Sequence, residues 1–249
     1  MVGILALGAL LVNASRPSPS PPPTPVTAPV LATATPNCPS VASFVDVVTS
    51  YERQARWGLA ASTAQTALRT PGLCEQDRVP LGQKVVALSQ EALFEQPPLP
   101  EDAPGQRRVA MAYADLKTLA AQYGLQAPAP LAIAQSAYDN RLFLLATVAY
   151  GDAFQNGDSS AQDRTVVRAD YAAQYNLGHI WAQRAESAQR QEGLARLATA
   201  CRISEQNQLS SPEACNELQM LAGPRTRWPA PLADPLTGTP PAATPARGL

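Results

Sequence analysis

Apolar residues in the middle of the chain recur at the spacing of one helical face. Reading forward from Phe44, large apolar or aromatic side chains return at Val47, Val48 and Tyr51. The segment 41–222 is rich in Ala, Leu, Gln and Arg, which favour helices. It lacks the runs of Val, Ile and Thr bounded by tight-turn pairs that are typical of hairpins. The pattern therefore predicts an all-α fold.

Prolines and glycines cut this segment into pieces of helical length. The predicted helices are 40–56, 58–70, 76–96, 105–123, 130–154, 162–190, 192–206 and 212–222, and the fifth breaks near Asp139-Asn140. Ser160 and Asp163 predict a capping box at the start of the sixth helix. Pro212 is predicted at the first position of the last helix.

The first two predicted helices pair large residues with small ones. The small residues of this unit are Ala55, Ala60, Ala64 and Ala67, with Trp57 and Leu68 between them and Pro71-Gly72 at the end. Large side chains that face small ones allow two antiparallel helices to approach closely. The unit resembles the tetratricopeptide repeat, a helix–turn–helix of 34 residues. It departs from that family at Val48, where Gly is usual, and at Ala64, where an aromatic residue is usual.

Two further segments show the same resemblance. One is 175–182, around the pair Leu177-Gly178. The weaker one contains Ala137, Phe143, Ala146, Tyr150 and Ala153. The resemblance implies stacked antiparallel helical hairpins in a right-handed superhelix. The alternative is an unrelated helical bundle.

The two ends of the chain differ from its middle. The apolar run from Val2 to Val12 is too short for a membrane span, which needs about 20 residues. Residues 1–14 are predicted to be a signal peptide, with a cleavage pattern at Val12-Asn13-Ala14, so export is expected. Because no Lys or Arg precedes the run, the alternative is a weak, uncleaved N-terminal anchor.

Most of the 25 prolines gather in two end segments. The proline-rich stretch 15–37 is predicted to be a disordered linker, because proline fixes φ and removes backbone donors. Residues 223–249 share this composition and are predicted to be a disordered tail. The folded helical domain is therefore predicted to span 38–222.

The chain has four cysteines, Cys38, Cys74, Cys201 and Cys215. They form no C-x-x-C pair and the chain has one histidine, so no metal site is expected. An exported protein favours disulfides, and four cysteines allow three pairings. The predicted helices favour Cys38–Cys74 and Cys201–Cys215. The alternative is four free thiols in a cytosolic protein.

Composition and motifs argue against several function classes. The balance of 19 basic and 20 acidic residues disfavours a dedicated nucleic-acid binder. The charged residues of 163–202 alternate in sign, which predicts a solvated surface. The common nucleotide-binding, metalloprotease and serine-hydrolase motifs are absent, and no cofactor is expected. The single histidine, His179, is predicted to be structural.

The sequence therefore predicts a non-enzymatic module of the cell envelope or exterior that binds a protein or peptide. The expected contact residues are Arg53, Tyr138, Asn140, Asn176 and Arg184. The resemblance implies that Asn176 bonds a partner's backbone. One alternative is an envelope enzyme that cleaves cell-wall glycan through an acid such as Glu186. Another is a structural subunit of a larger membrane complex, tethered to membrane or wall through the N-terminus.

Overall fold

Helices account for all regular secondary structure in residues 41–233, which the computed structural model describes. These residues belong to one of two units of the chain, Cys38–Leu249. The helices are α1 (Ala42–Arg53), α2 (Trp57–Leu68), α3 (Glu75–Ala92), α4 (Ala103–Gln122), α5 (Pro130–Asp139), α6 (Phe143–Gln155), α7 (Arg164–Ala182), α8 (Ser187–Gln206) and α9 (Glu213–Ala222). Two short 3-10 helices, Ser159–Gln162 and Arg225–Arg227, complete the described part. The predicted all-α class is confirmed.

The predicted break in the fifth helix is confirmed at Asn140-Arg141. Arg141 has a φ of 59°, in the left-handed region, and this turns the chain from α5 into α6. The predicted break near residue 191 is wrong, because α7 ends at Ala182 and α8 starts at Ser187. Gly193 lies inside α8, where it packs against the α7 backbone instead of ending a helix.

The start of α7 also differs from the prediction. Asp163 is the N-cap, and its carboxylate accepts a hydrogen bond from the Thr165 backbone nitrogen at 2.7 Å. This bond lowers the pKa of Asp163. Ser160 lies in the preceding 3-10 helix, so the predicted capping box is wrong. Asp163 thus takes the N-cap position that Ser160 was predicted to hold.

Small residues on α2 let it pack closely between α1 and α3. Ala60, Ala64 and Ala67 are fully buried, and they share one apolar cluster with Val48 of α1 and Val85 of α3. Each alanine buries little apolar area. The stabilisation of this hairpin therefore comes mainly from the close approach of its helices. The predicted pairing of large residues on the first helix with small ones on the second is confirmed at Val48.

The central cluster surrounds α6, which is buried on nearly every side. Leu144, Leu145 and Ala146 have no exposed surface, and Tyr113 of α4 and Leu177 of α7 pack against the same cluster. A helix that is apolar all round belongs in the interior. Helices α4, α5 and α7 therefore pack against α6.

The third cluster joins α7, α8 and α9. A disulfide between Cys201 of α8 and Cys215 of α9 crosses it, which confirms one predicted pairing. The other predicted pairing, Cys38–Cys74, includes Cys38, which lies outside the described residues. That pairing stays a prediction.

The chain stays packed beyond α9. Trp228 lies against the third cluster and its indole nitrogen donates to the Gly223 carbonyl oxygen at 2.9 Å. Leu232 is buried, and its backbone nitrogen donates to the Thr199 hydroxyl at 2.9 Å. The predicted tail 223–249 therefore starts too early, because an aromatic and an aliphatic anchor hold 223–233 to the domain. The predicted segments 1–14 and 15–37, and residues 234–249, lie outside the described residues.

Within residues 41–233, no helix combines the length and the apolar character needed to cross a membrane.

Candidate functional site

A groove runs between α2 and α4, with the C-terminal end of α3 between them. Its volume is about 780 Å³. Leu59 and Ser62 of α2 line one side, Arg108 and Asp115 of α4 line the other, and Leu93 lies at the end of α3. Volumes of several hundred Å³ are typical of ligand sites. The groove is thus large enough for several side chains of a bound segment.

The two sides of the groove differ in chemistry. Leu59 on the α2 side is an exposed apolar side chain, with 43% of its surface accessible. On the α4 side, Arg108 and Asp115 are exposed, and within residues 41–233 neither side chain has a hydrogen-bond or ion-pair partner. Seven residues separate them, which is about 10 Å along a helix. Glu95, Arg108 and Asp115 are the charged side chains that line the groove. Arg108 and Asp115 are the two that have no partner within residues 41–233, and they lie beside apolar surface.

A hydrogen bond fixes one end of the groove. The Glu95 carboxylate accepts from the Gly58 backbone nitrogen at 2.6 Å, in the first turn of α2. Free backbone donors at a helix start favour an acidic partner. The contact joins the start of α2 to the chain just after α3. It therefore fixes the position of α2 relative to the end of α3.

The five predicted contact residues lie elsewhere, and none of them lines this groove. Arg53 ends α1 and Arg184 follows α7, and both are exposed. Asn140 follows α5 and donates to the Ser136 carbonyl oxygen at 2.8 Å. Among these five residues, Tyr138 and Asn176 are in contact, with the Asn176 amide donating to the Tyr138 hydroxyl at 3.5 Å.

The single histidine lies in a row of side chains on α7. Its Nδ1 is 2.7 Å from a Glu217 oxygen of α9, and its Nε2 is 3.1 Å from the Gln183 amide nitrogen. The Tyr175 ring lies beside it at a tilted angle, with the ring centroids 6.0 Å apart. Burial, followed by the nearby Glu217 carboxylate, raises the pKa of Tyr175. A histidine that activates a nucleophile needs a hydroxyl or thiol on one nitrogen. Both nitrogens of His179 face other groups.

Glu186, the acid of the glycan-cleaving alternative, caps α8 in the connection after α7. Its side chain is exposed. A general acid for glycoside cleavage needs a raised pKa, which burial in an apolar site provides. The position of Glu186 offers no such burial.

Part of the predicted solvated surface in 163–202 is buried, and this prediction is wrong for Asp170, Glu192 and Arg196. The Arg196 guanidinium donates to Glu192 at 2.6 Å and to the Gln174 side-chain oxygen at 3.3 Å. Its carbon lies 5.2 Å from the Trp181 ring centroid. Paired charge and an aromatic face offset the cost of burying this cation.

The same cluster ties α8 to α4. Arg107 of α4 forms a second ion pair with Glu192 and lies 5.8 Å from the Trp181 ring centroid. The Trp181 indole nitrogen donates to the Pro100 carbonyl oxygen at 2.9 Å. This cluster lies inside the helical packing, so its role is to hold α4, α7 and α8 together.

One group of side chains has metal-ligand types close together. The Glu205 carboxylate and the sulfurs of Cys201 and Cys215 lie within 4.8 Å of one another. Both sulfurs are joined in the disulfide, and thiolates are the form that binds metals. The group is therefore not a metal site in this state.

Arg108 and Asp115 were not predicted as contact residues, because the groove depends on how α2 and α4 pack on either side of α3. A signal was present in their spacing of two helical turns on one face of α4. Comparison with protein-family models, curated proteins and solved structures finds no match to the chain.

Proposed function

We propose that the protein is a non-enzymatic interaction module that binds a peptide segment of a partner protein in the groove between α2, α3 and α4. The observation that carries this proposal is the pair of exposed, unpaired charges, Arg108 and Asp115, beside the exposed Leu59. Exposed apolar surface rimmed by polar groups is typical of interaction sites.

Charge complementarity defines the partner. A segment that carries an acid opposite Arg108 and a base opposite Asp115 pairs both groove charges. In an extended chain at about 3.3 Å per residue, a spacing of about 10 Å corresponds to three residues. Complementary charges favour one binding direction and penalise the reverse. An apolar side chain of the same segment contacts Leu59.

The chemistry elsewhere supports binding over catalysis. His179 contacts Glu217 and Gln183, and in the described part of the chain neither of its nitrogens contacts a nucleophile. Asp170 has a raised pKa, but the residues lining its cleft include no second carboxylate. Glycoside hydrolysis generally uses two.

The family and the location remain part of the proposal. Hairpin packing of α1 on α2 through small residues supports a tetratricopeptide-like repeat architecture. The Cys201–Cys215 disulfide supports an oxidising compartment, in agreement with export through residues 1–14.

Peptide display tests the groove. A library of about ten-residue peptides is selected on the wild-type protein and on the charge-reversed R108D/D115R variant. The wild-type protein is expected to select peptides with an acidic and a basic residue three residues apart. The variant is expected to select peptides in which these two residues stand in the reverse order. The control D46R/R190D makes the same exchanges at exposed positions outside the groove. Selection of no common pattern, or of one pattern by all three proteins, contradicts the proposal.

Cell fractionation with N-terminal sequencing tests the location. A chain that starts at Ser15 in the exported fraction supports export. Retention of residues 1–14 in the membrane fraction favours the anchored subunit of a membrane complex. A full-length chain in the cytosol contradicts the proposed location.

A further inference from the structure

A buried acid lies in a second cleft, between α6, α7 and α8. The cleft has a volume of about 510 Å³. Its lining residues are Phe154, Gln162, Val167, Asp170, Ile203 and Asn207. Asp170 of α7 is 9% exposed, and among residues 41–233 its Oδ1 has no hydrogen-bond partner. Buried polar atoms in proteins are nearly always paired, so this oxygen calls for an explanation.

The protein supplies no cation to Asp170 among the residues that line the cleft. Burial raises the pKa of Asp170 to about 7 because the charged form loses its hydration. A neighbouring cation would have opposed this rise. The carboxyl group is therefore available to a positive charge that comes from outside the domain.

Tyr150 of α6 is a second titratable group close to Asp170. Its hydroxyl is buried without a hydrogen-bond partner, and burial, followed by the Asp170 charge, raises its pKa to about 12. Arg164 of α7 lines an adjoining recess, where its guanidinium donates to the Gln208 carbonyl oxygen at 3.3 Å. Tyr150 therefore stays neutral near pH 7, where Asp170 changes its charge.

We propose that this cleft binds an organic cation, with an ammonium group on the Asp170 carboxylate and its aliphatic stem against Phe154, Val167 and Ile203. The amides of Gln162 and Asn207 line the same cleft and add hydrogen-bonding capacity. A bare metal ion fits this cleft less well, because a hard cation takes six to eight oxygen ligands and the cleft is partly lined by apolar side chains. The volume suits a small ligand or one long side chain.

Two sources carry this chemistry, a lysine side chain of a partner protein and a free alkylamine. The cleft lies on α6, α7 and α8, whereas the peptide groove lies on α2, α3 and α4. Each site is therefore tested separately. A negative result for the cleft does not contradict peptide binding in the groove, and the reverse also holds.

The test titrates the full-length protein with n-butylammonium, using n-butanol as a neutral match, and follows the Asp170 carboxyl carbon by NMR. Butylammonium is expected to lower the pKa of Asp170 by at least 1, which is a tenfold preference for the ionised form. Its affinity is expected to rise from pH 5 to 9, because Asp170 loses its proton through about pH 7 while an amine with a pKa near 10 stays charged. Butanol is expected to leave the pKa unchanged.

Two variants control the experiment. D170N keeps the side-chain shape without the charge and is expected to lose butylammonium binding at every pH. D46N removes an exposed acid on α1 and is expected to bind as wild type does. Equal binding of butylammonium and butanol, or an unchanged Asp170 pKa in wild type, overturns the proposal. If D170N fails to fold, the wild-type titration still shows whether butylammonium binds at Asp170.

A third ligand separates the two sources. Nα-acetyl-lysine N-methylamide presents the same ammonium on a peptide backbone. Binding equal to that of butylammonium supports a lysine of a partner protein. Binding of butylammonium alone supports a free amine.

Discussion

Gly178 of α7 packs directly against the backbone of Leu197 in α8, since a β-carbon added at Gly178 would lie 2.9 Å from the Leu197 nitrogen. Gly193 of α8 makes the reciprocal contact with α7, where a β-carbon would overlap the Ala182 backbone. The two glycines bring these helices closer together than alanine allows.

The substitution G193A is expected to destabilise the protein by about 3 kcal/mol or more, because a backbone atom cannot move aside as a side chain can. The matched control is G151A in α6, where a β-carbon would meet nothing within 4 Å. That change is expected to stabilise by about 0.5–1 kcal/mol through helix propensity. Urea denaturation of both variants gives the two free energies. Equal effects would show that α7 and α8 are not in close contact.

The Leu177-Gly178 pair was predicted from sequence to mark a packed first helix, and the structure gives that pair a physical role at the α7–α8 contact. The same residue type misled the prediction at Gly193. A glycine that admits a neighbouring backbone and one that ends a helix look alike along the chain, because the difference depends on a helix that is distant in sequence.

Glu192 compensates a fully buried guanidinium. The substitution E192Q is expected to cost about 3–5 kcal/mol, because the fully buried Arg196 would lose its ion pair with Glu192. The exposed pair Arg225–Glu205 provides the control, and E205Q there is expected to cost less than about 1 kcal/mol. Thermal denaturation at constant pH compares the two variants. A cost for E192Q no larger than that for E205Q would contradict the role assigned to the buried cluster.

Asp170 is expected to make stability depend on pH. Its pKa is about 7 in the folded protein, and an unfolded chain has an aspartate pKa of about 3.9. The folded state thus binds more protons between these values, so this group lowers stability as pH rises from about 4 to about 7. The difference between the two pKa values corresponds to a cost on the order of 4 kcal/mol above pH 7.

The variant D170N removes that titration. Relative to wild type, D170N is expected to gain stability steadily from pH 4 to 8 and to match wild type near pH 4, where both side chains are neutral. Denaturation midpoints at several pH values check this. A constant difference between the two proteins would mean that Asp170 is ionised throughout or is not buried.

The disulfide between α8 and α9 restricts the unfolded chain. It closes a separation of 14 residues, for which the chain-entropy estimate is about 3 kcal/mol. The double variant C201S/C215S is expected to lose about that free energy of unfolding. Mass spectrometry after alkylation of the native protein identifies the paired cysteines. Alkylation of Cys201 and Cys215 without prior reduction would contradict the pairing.

Much of the helical architecture follows from local sequence, whereas the two candidate sites do not. Ala60, Ala64 and Ala67 mark the packed face of α2 by their spacing alone. Arg108 lines the groove because α3 lies between α2 and α4 and leaves a space between them, and this packing is not visible in the local sequence. Asp170 lies in a run of alternating charges that is typical of a solvated surface, and its burial depends on packing between α6 and α8.

A charge-reversal cycle tests whether the groove charges bind a partner segment. The dissociation constant of a display-selected peptide is measured for wild type and for R108D, each with the peptide's acidic residue kept or changed to arginine. Each single reversal is expected to weaken binding at least tenfold, about 1.4 kcal/mol, and the double reversal to restore it. An affinity that R108D leaves unchanged, or a double reversal that does not restore the affinity, would show that Arg108 does not pair with the peptide's acid.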